Sequence, residues 1–260
     1  MTNDAASADP HRAGGPLADL DPALLGDLTQ LRTEFTRFML QYRFGVDEVI
    51  TKIGILREEF RLLHDYNPIE HVGSRLKSPE SIIAKVARKG SDPSFEAIRE
   101  SITDIAGVRL TCSFTSDVYR LFDMLTSQSD LTVIEVKDYI AHPKPNGYRS
   151  LHALVKVPVF LSDGAVQVTV ELQFRTIAMD FWASLEHKIF YKYRREVPRE
   201  VVDHLTEAAE TANRLDSLME DLHQRVHAGG IGVPGPDDHL VPTDAVLERF
   251  HAIRAHREHG

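Results

Sequence analysis

The sequence predicts an α+β domain, a mixed or antiparallel central sheet packed by helices. Residues 165–176, AVQVTVELQFRT, carry most of that reading. Val166, Val168, Val170, Leu172 and Phe174 alternate with Gln167, Thr169, Glu171, Gln173 and Arg175, the period of a strand with one buried face. Apolar spacing becomes helical over residues 25–64 and again over 198–226, on either side of the strand-like region. A sheet with one apolar face must bury it, and helices before and after it in the chain supply the cover.

In chain order, residues 1–24 are rich in Ala, Asp, Gly and Pro without periodicity and are expected to form a disordered arm. From Leu25 to His64, Leu28, Leu31, Phe35, Phe38, Val46, Val49, Ile53, Leu56, Phe60 and Leu63 recur at helical spacing, giving one long or broken helix. Ser78 is a natural N-cap and Pro79 a natural first-turn residue for a second helix bearing Ile82, Ile83 and Val86. Residues 95–103 read as a third, short helix, and 116–127 as a fourth. Strands are expected over 107–114, 131–140, 150–160 and 165–176, the last two joined by a turn at Asp163-Gly164. Helices over 177–193 and 198–226 complete a domain spanning 25–227. Trp182, with Phe181, Leu185, Ile189 and Phe190, is expected to pack in the core. Residues 228–243 read as a Gly/Pro linker, so 228–260 is expected to be linker and flexible tail.

Composition narrows the function. The 260 residues carry a formal charge of −9 and one cysteine, Cys112. A lone cysteine excludes an intramolecular disulfide and fits a reducing cytoplasm. No apolar run reaches the roughly 20 residues that span a bilayer. The acidic total hides segregation. Residues 75–89 hold Arg75, Lys77, Lys85, Arg88 and Lys89 against one carboxylate, Glu80, which suits a compact anionic ligand better than a long polyanion.

Ser81, Lys85 and Arg88 recur at steps of four and three, so one helix face presents a hydroxyl and two cations. Phosphate favours such an array, since charge-assisted bonds are strong and arginine grips two oxygens; a solvated basic face has the same pattern. Asp104, ahead of the first strand, and Glu171, on a polar sheet face with Arg109, could together hold Mg²⁺, which takes hard oxygen ligands and completes its shell with water and phosphates. Alternation alone is read more readily as Glu171 facing solvent in a surface salt bridge with Arg175. Residues 144–152, KPNGYRSLH, place Tyr148 at a turn beside Lys144 and His152. Such a ring could stack on a base while the cations meet phosphate, or the stretch could be an ordinary hairpin turn. Walker loops, GxGxxG and zinc-spaced Cys/His sets are absent from the sequence.

Five segments in register resemble the synthetase domain of RelA/SpoT-type alarmone synthetases: GSRLKSPESIIAK (73–85), DIAGVRL (104–110), KPNGYRSLH (144–152), ELQFRT (171–176) and AMDFWASLEHKIFYKY (178–193). The likeness covers roughly residues 40–225. The HD…ED constellation of the hydrolase domain in long relatives is missing, since His64-Asp65 stands alone. The resemblance therefore implies a small, single-domain synthetase with a nucleotidyltransferase-like fold, making (p)ppGpp and AMP from ATP and GDP or GTP in the stringent response, with GMP a further acceptor candidate. It implies Glu171 as the carboxylate that takes the 3′-hydroxyl proton and, with Asp104, holds Mg²⁺. Arg75 and Arg109 would clamp adenine, and Lys77, Ser81, Lys85 and Arg88 the ATP phosphates. Tyr148 would stack on guanine, with Lys144, Asn146 and His152 contacting the acceptor and Gln173 and Arg175 supporting it.

Relatives of this type commonly form tetramers, some activated by alarmone in a central cleft. The corresponding positions here, Ile50, Gly54, His71, Gly73 and Asp180, all depart from the pattern, so strong activation by pppGpp is not expected. A homotetramer remains the expected assembly. The alternatives are a toxic relative that pyrophosphorylates adenine nucleotides or tRNA 3′ ends, and a non-catalytic nucleotide- or RNA-binding module.

Overall fold

The structure, a computed structural model, describes residues 22–64, 66–193, 197–227, 242 and 244–257. Residues 1–21 of the expected arm, and the linker apart from residue 242, lie outside it. The chain divides at Gln41/Tyr42 into two compact units. Helix α1, Pro22–Leu63, begins in the first. There Leu24, Leu28 and Leu31 are exposed, and the hydroxyls of Thr29, Thr33 and Thr36 each donate to the carbonyl one turn back.

The second unit contains β1 (Ile69–Leu76), α2 (Pro79–Lys89), α3 (Phe95–Ser101), β2 (Ala106–Cys112), α4 (Thr115–Thr126), β3 (Thr132–Asp138), β4 (Leu151–Leu161), β5 (Gly164–Thr176), α5 (Ile177–Tyr193), α6 (Arg199–His227) and α7 (Asp244–Arg257). The strands form one sheet in the order β1-β2-β5-β4-β3. Only β2 and β5 run parallel, and the remaining pairs are antiparallel, so the sheet is mixed. The final stretch is helical over α7, where a flexible tail was expected.

On β5 the apolar set Val168, Val170, Leu172 and Phe174 is at most 1% exposed. Burying each such side chain contributes about 1.5–3 kcal/mol. The later part of α1 lies against this face: a Cβ on Gly45 would fall 2.7 Å from Val168 Cγ1, and Val49 and Ile53 are fully buried. Helix α4 adds Phe122, whose ring meets Phe174 edge-on at 6.0 Å. The opposite face of the sheet carries the polar parity of β5.

Strand β1 escaped the sequence reading. Its segment IEHVGSRL fully buries only Ile69, with Val72, Gly73 and Leu76 half-buried, and a register shift falls between Ile69 and His71. An edge strand that packs little side-chain surface leaves little hydrophobic alternation to read. The β4–β5 turn is Ser162-Asp163, with Gly164 (φ +136°) already paired to Leu161. The expected core cluster at α5 needs correction. Trp182 is buried, donates its indole N–H to Leu205 O (2.8 Å) and packs with Ala183, Leu205 and Ala209. Phe181 (65% exposed) and Leu185 instead line an open groove against α6.

Candidate active site

Strand register assembles the site on the polar face. Arg75, Gly107 and Glu171 form one cross-strand row, and Gly73, Arg109, Gln173 and His152 the next. Gly107 contributes no side chain between its neighbours. A Cβ there would touch Arg75 Cγ and Nε at 3.5 Å, so the glycine leaves Arg75 a floor to cross toward Glu171. Arg75 Nη2 lies 3.8 Å from Glu171 Oε2.

Both oxygens of Glu171 are engaged. Oε1 is 3.2 Å from His152 Nδ1, and Oε2 accepts from Gln173 Nε2 at 2.8 Å. Burial works against the charge. The hydrogen bonds from His152 and the Gln173 amide, with the charge of Arg75, outweigh it and hold the carboxyl below its usual range. The alternative salt bridge to Arg175 is not made. Arg175 Nη1 instead reaches Asp180 Oδ1 at 2.9 Å, while its Nη2 donates to Tyr148 Oη at 2.8 Å and to Gln173 Oε1 at 3.3 Å.

Asp104 stands at the entry to β2. The backbone bond from Lys77 N to Ile105 O (2.8 Å) brings the end of β1 beside it. Lys77 Nζ lies 3.1 Å from Oδ2 and Lys85 Nζ 2.8 Å from Oδ1. Burial alone would raise this carboxyl, but hydrogen bonds from and charges on Lys85 and Lys77 hold it low. Arg75 beside Glu171 and Lys77 beside Asp104 are two residues apart on β1 and its continuation, so one short segment contacts both carboxylates. As hard oxygen donors they suit Mg²⁺, which takes one or two carboxylates and leaves the rest of its shell to water and phosphate. Among the described residues no group of three or more His, Cys, Asp or Glu could enclose a metal without such a partner.

The basic helix face resolves into different duties. Ser78 caps α2 by accepting from Ser81 N (3.3 Å), and its hydroxyl also bonds Ser81 Oγ (3.1 Å). Lys85 turns inward to Asp104, whereas Ser81 and Arg88 are exposed.

The 144–152 loop is a tight, braced turn. Gly147 N donates to Lys144 O (2.8 Å), Lys144 N to Tyr148 O (3.2 Å), and Asn146 Oδ1 accepts from Tyr148 N (3.2 Å). Asn146 Nδ2 donates to Glu186 on α5 (3.1 Å). Gly147 has φ +84°, and a Cβ on it would lie 2.4 Å from Ala209 Cβ on α6. Tyr148 is half-buried against Trp182 and its neighbours, with its hydroxyl 2.7 Å from His152 Nε2. Two cations rest against its ring, Lys144 Nζ at 4.7 Å and Arg175 Cζ at 5.2 Å from the centroid. A base stacking there has to exchange with the exposed Lys144.

Asp180, expected from the sequence only among the effector-cleft positions, also joins the candidate site. In the first turn of α5, after the Thr176 cap that accepts from Met179 N (3.1 Å), it pairs with both Arg109 (3.2 Å) and Arg175 (2.9 Å) through Oδ1. With His71 and Gly73 it lines a cleft of about 220 Å³ that also contains Arg75, Arg109 and Gln173. Ile50 is partly exposed on α1, and a side chain on Gly54 would meet open space. The Nε atoms of Arg109 and Arg175 and Thr111 Oγ1 are buried without a hydrogen-bond partner in the protein.

Comparison with known proteins bears on this arrangement. The family described as "Region found in RelA / SpoT proteins" matches residues 74–196. GTP pyrophosphokinase YwaC of Bacillus subtilis (strain 168) is 47% identical over 208 residues, 80% of this chain and 99% of that protein. Among solved structures, small alarmone synthetase 1 from Bacillus subtilis bound to its product pppGpp superposes with TM-score 0.68 at 38% identity, covering 74% of this chain and 98% of that one. The same enzyme bound to AMPCPP gives 0.64 at 34% identity, covering 75% and 98%.

Proposed function

The chain belongs to the RelA/SpoT family of alarmone synthetases, and we propose that it transfers the pyrophosphoryl group of ATP to the ribose 3′-hydroxyl of GDP or GTP, releasing AMP. The observation that carries this reading is the pair of carboxylates inside the family-matching segment, Asp104 held by Lys77 and Lys85 and Glu171 by His152, Gln173 and Arg75, with Arg75 and Lys77 two residues apart in the chain. The AMPCPP and pppGpp complexes of the Bacillus synthetase support an adenine-nucleotide donor and a guanine-nucleotide product.

The residues divide the work. Arg75 and Arg109 flank the small cleft and present guanidinium planes to adenine. Lys77 and Lys85, with Ser81 and Arg88 on the exposed face, meet the ATP phosphates. Tyr148 takes the acceptor base as Lys144 leaves its ring for phosphate, and Asn146 holds the loop on α5. Glu171 accepts the 3′-hydroxyl proton in the transition state, and its chief contribution is to place the oxygen in line with the β-phosphorus. Asp104 and Glu171 would hold Mg²⁺, which when bound neutralises phosphate charge. Binding of phosphate draws Lys77 and Lys85 off Asp104 and frees its oxygens.

The assembly in this proposal is a homo-oligomer, with a tetramer as the expected form. Exposed Phe181 and Leu185 on α5 and Leu215 and Met219 on α6 offer a second copy an apolar groove of about 970 Å³. Among the described residues no helix is long and apolar enough to cross a membrane, and Cys112 is free and buried; the proposed location is the cytoplasm. The test is incubation with ATP, Mg²⁺ and GMP, GDP or GTP separately, followed by separation of products. A 3′-pyrophosphorylated guanine nucleotide with equimolar AMP is expected. Product only from adenine nucleotides or tRNA would replace this acceptor assignment, and no turnover with any acceptor would overturn the enzymatic one.

A further inference from the structure

Arg175 is 5% exposed and anchored through Nη1 to Asp180. Guanidinium nitrogens only donate. Its Nη2 reaches two acceptors, Tyr148 Oη at 2.8 Å and Gln173 Oε1 at 3.3 Å, one for each of its two protons. Each bond fixes the polarity of the next. Because Gln173 Oε1 accepts from Arg175, the amide must turn its Nε2 to Glu171 Oε2, where it donates at 2.8 Å. Tyr148 Oη accepts from Arg175, which leaves its single proton free for His152 Nε2, 2.7 Å away. A neutral imidazole that accepts at Nε2 carries its proton on Nδ1, and Nδ1 faces Glu171 Oε1 at 3.2 Å. The ring is further pinned edge-on to Tyr139, 5.3 Å between centroids.

We infer that His152 and Gln173 are positioning residues for Glu171, both oriented by the one buried guanidinium of Arg175, with the Tyr148 hydroxyl as the link that fixes the His152 tautomer. This rests on the synthetase reading and deepens it. The acceptor loop and the carboxylate that receives the acceptor proton are set by a single closed circuit of hydrogen bonds, which fixes the orientation of both Glu171 oxygens. In this arrangement Tyr148 has two separable duties. Its ring binds, and its hydroxyl orients.

Tyr148→Phe separates them, since it keeps the ring and removes the link. Steady-state synthesis by this variant is expected to show kcat about tenfold lower, with KM for the guanine nucleotide within about twofold of the wild type. His152→Asn, whose amide can still donate to Glu171, is expected to retain more kcat than His152→Leu. An unchanged kcat in Tyr148→Phe overturns the inference, as does a loss confined to KM. A readout independent of turnover uses ¹⁵N-histidine NMR of the nucleotide-free full chain, with the His152 signals assigned by their disappearance in His152→Asn. The expected wild-type form is Nδ1–H, with that preference lost in Tyr148→Phe. An Nε2–H signal in the wild type overturns the inference even if synthesis proceeds; Nδ1–H in a protein without synthesis supports the circuit and indicts the enzymatic reading alone.

Discussion

Gly147→Ala tests how the acceptor loop is built. Two costs follow from its surroundings. At φ +84° an alanine sits in the left-handed region, at about 1–2 kcal/mol. Its Cβ would also stand 2.4 Å from Ala209 Cβ, so the loop or α6 must shift, an overpacking cost of about 1–3 kcal/mol. The total of about 2–5 kcal/mol is a large fraction of a typical domain's 5–15 kcal/mol. Urea denaturation followed by circular dichroism measures it, and the KM for the guanine nucleotide should rise because Tyr148 is the next residue. Ala209→Gly isolates the contact. It costs about 1 kcal/mol alone through helix propensity, yet in the double variant it should return about 1–2 kcal/mol by removing the obstruction. A single variant as stable as wild type, or a double variant equal to the sum of its parts, would refute the claim that loop and helix meet through these two small residues.

Glu171→Gln is expected to lower synthesis by about a thousandfold or more while nucleotide binding by calorimetry persists; near wild-type synthesis would remove Glu171 from its role. Adding pppGpp should leave the initial rate unchanged, because Ile50 and Gly54 offer no charge and Asp180 is committed to Arg109 and Arg175; a clear rate increase contradicts that. Asp117 predicts a pH effect on stability. It accepts from Tyr66 Oη and Phe114 N, beside His223 and Arg120, and burial pushes its carboxyl up despite those partners. A folded-state value above the unfolded one, about 3.9, means the stability it contributes is full below that value and is lost as pH rises through the folded one. The difference in Tm between wild type and Asp117→Asn should therefore shift against the wild type from pH 4 toward neutral, and a constant difference would contradict the assignment.

The strands were legible wherever one face is buried. On β5 and β2 the alternation of Val170, Leu172 and Phe174 with Glu171 and Gln173, and of Val108 and Leu110 with Arg109, marks both the core and the polar face on which the site stands. β1 was not legible because an edge strand is held by backbone bonds to β2, which leave no trace in side-chain type. The site's chemistry was readable as types, carboxylates near cations and a tyrosine at a turn, but its pairings were not. Lys85 meets Asp104 across 19 residues, and Asn146 meets Glu186 across 40. Asp180 had no local signal at all, since its purpose depends on Arg109 arriving from another strand. Phe181 and Leu185, four residues apart, form an apolar stripe beside buried Trp182, and spacing cannot tell a covered stripe from a groove left open.

Position-specific labelling of ATP most directly tests the claim that Asp104 and Glu171 direct pyrophosphate transfer. With ATP labelled at the β-phosphorus and GDP as acceptor, pyrophosphoryl transfer places the label on the guanine nucleotide and leaves unlabelled AMP, and Glu171→Gln should abolish that transfer. Label retained in ADP, or an equal transfer by Glu171→Gln, would contradict it.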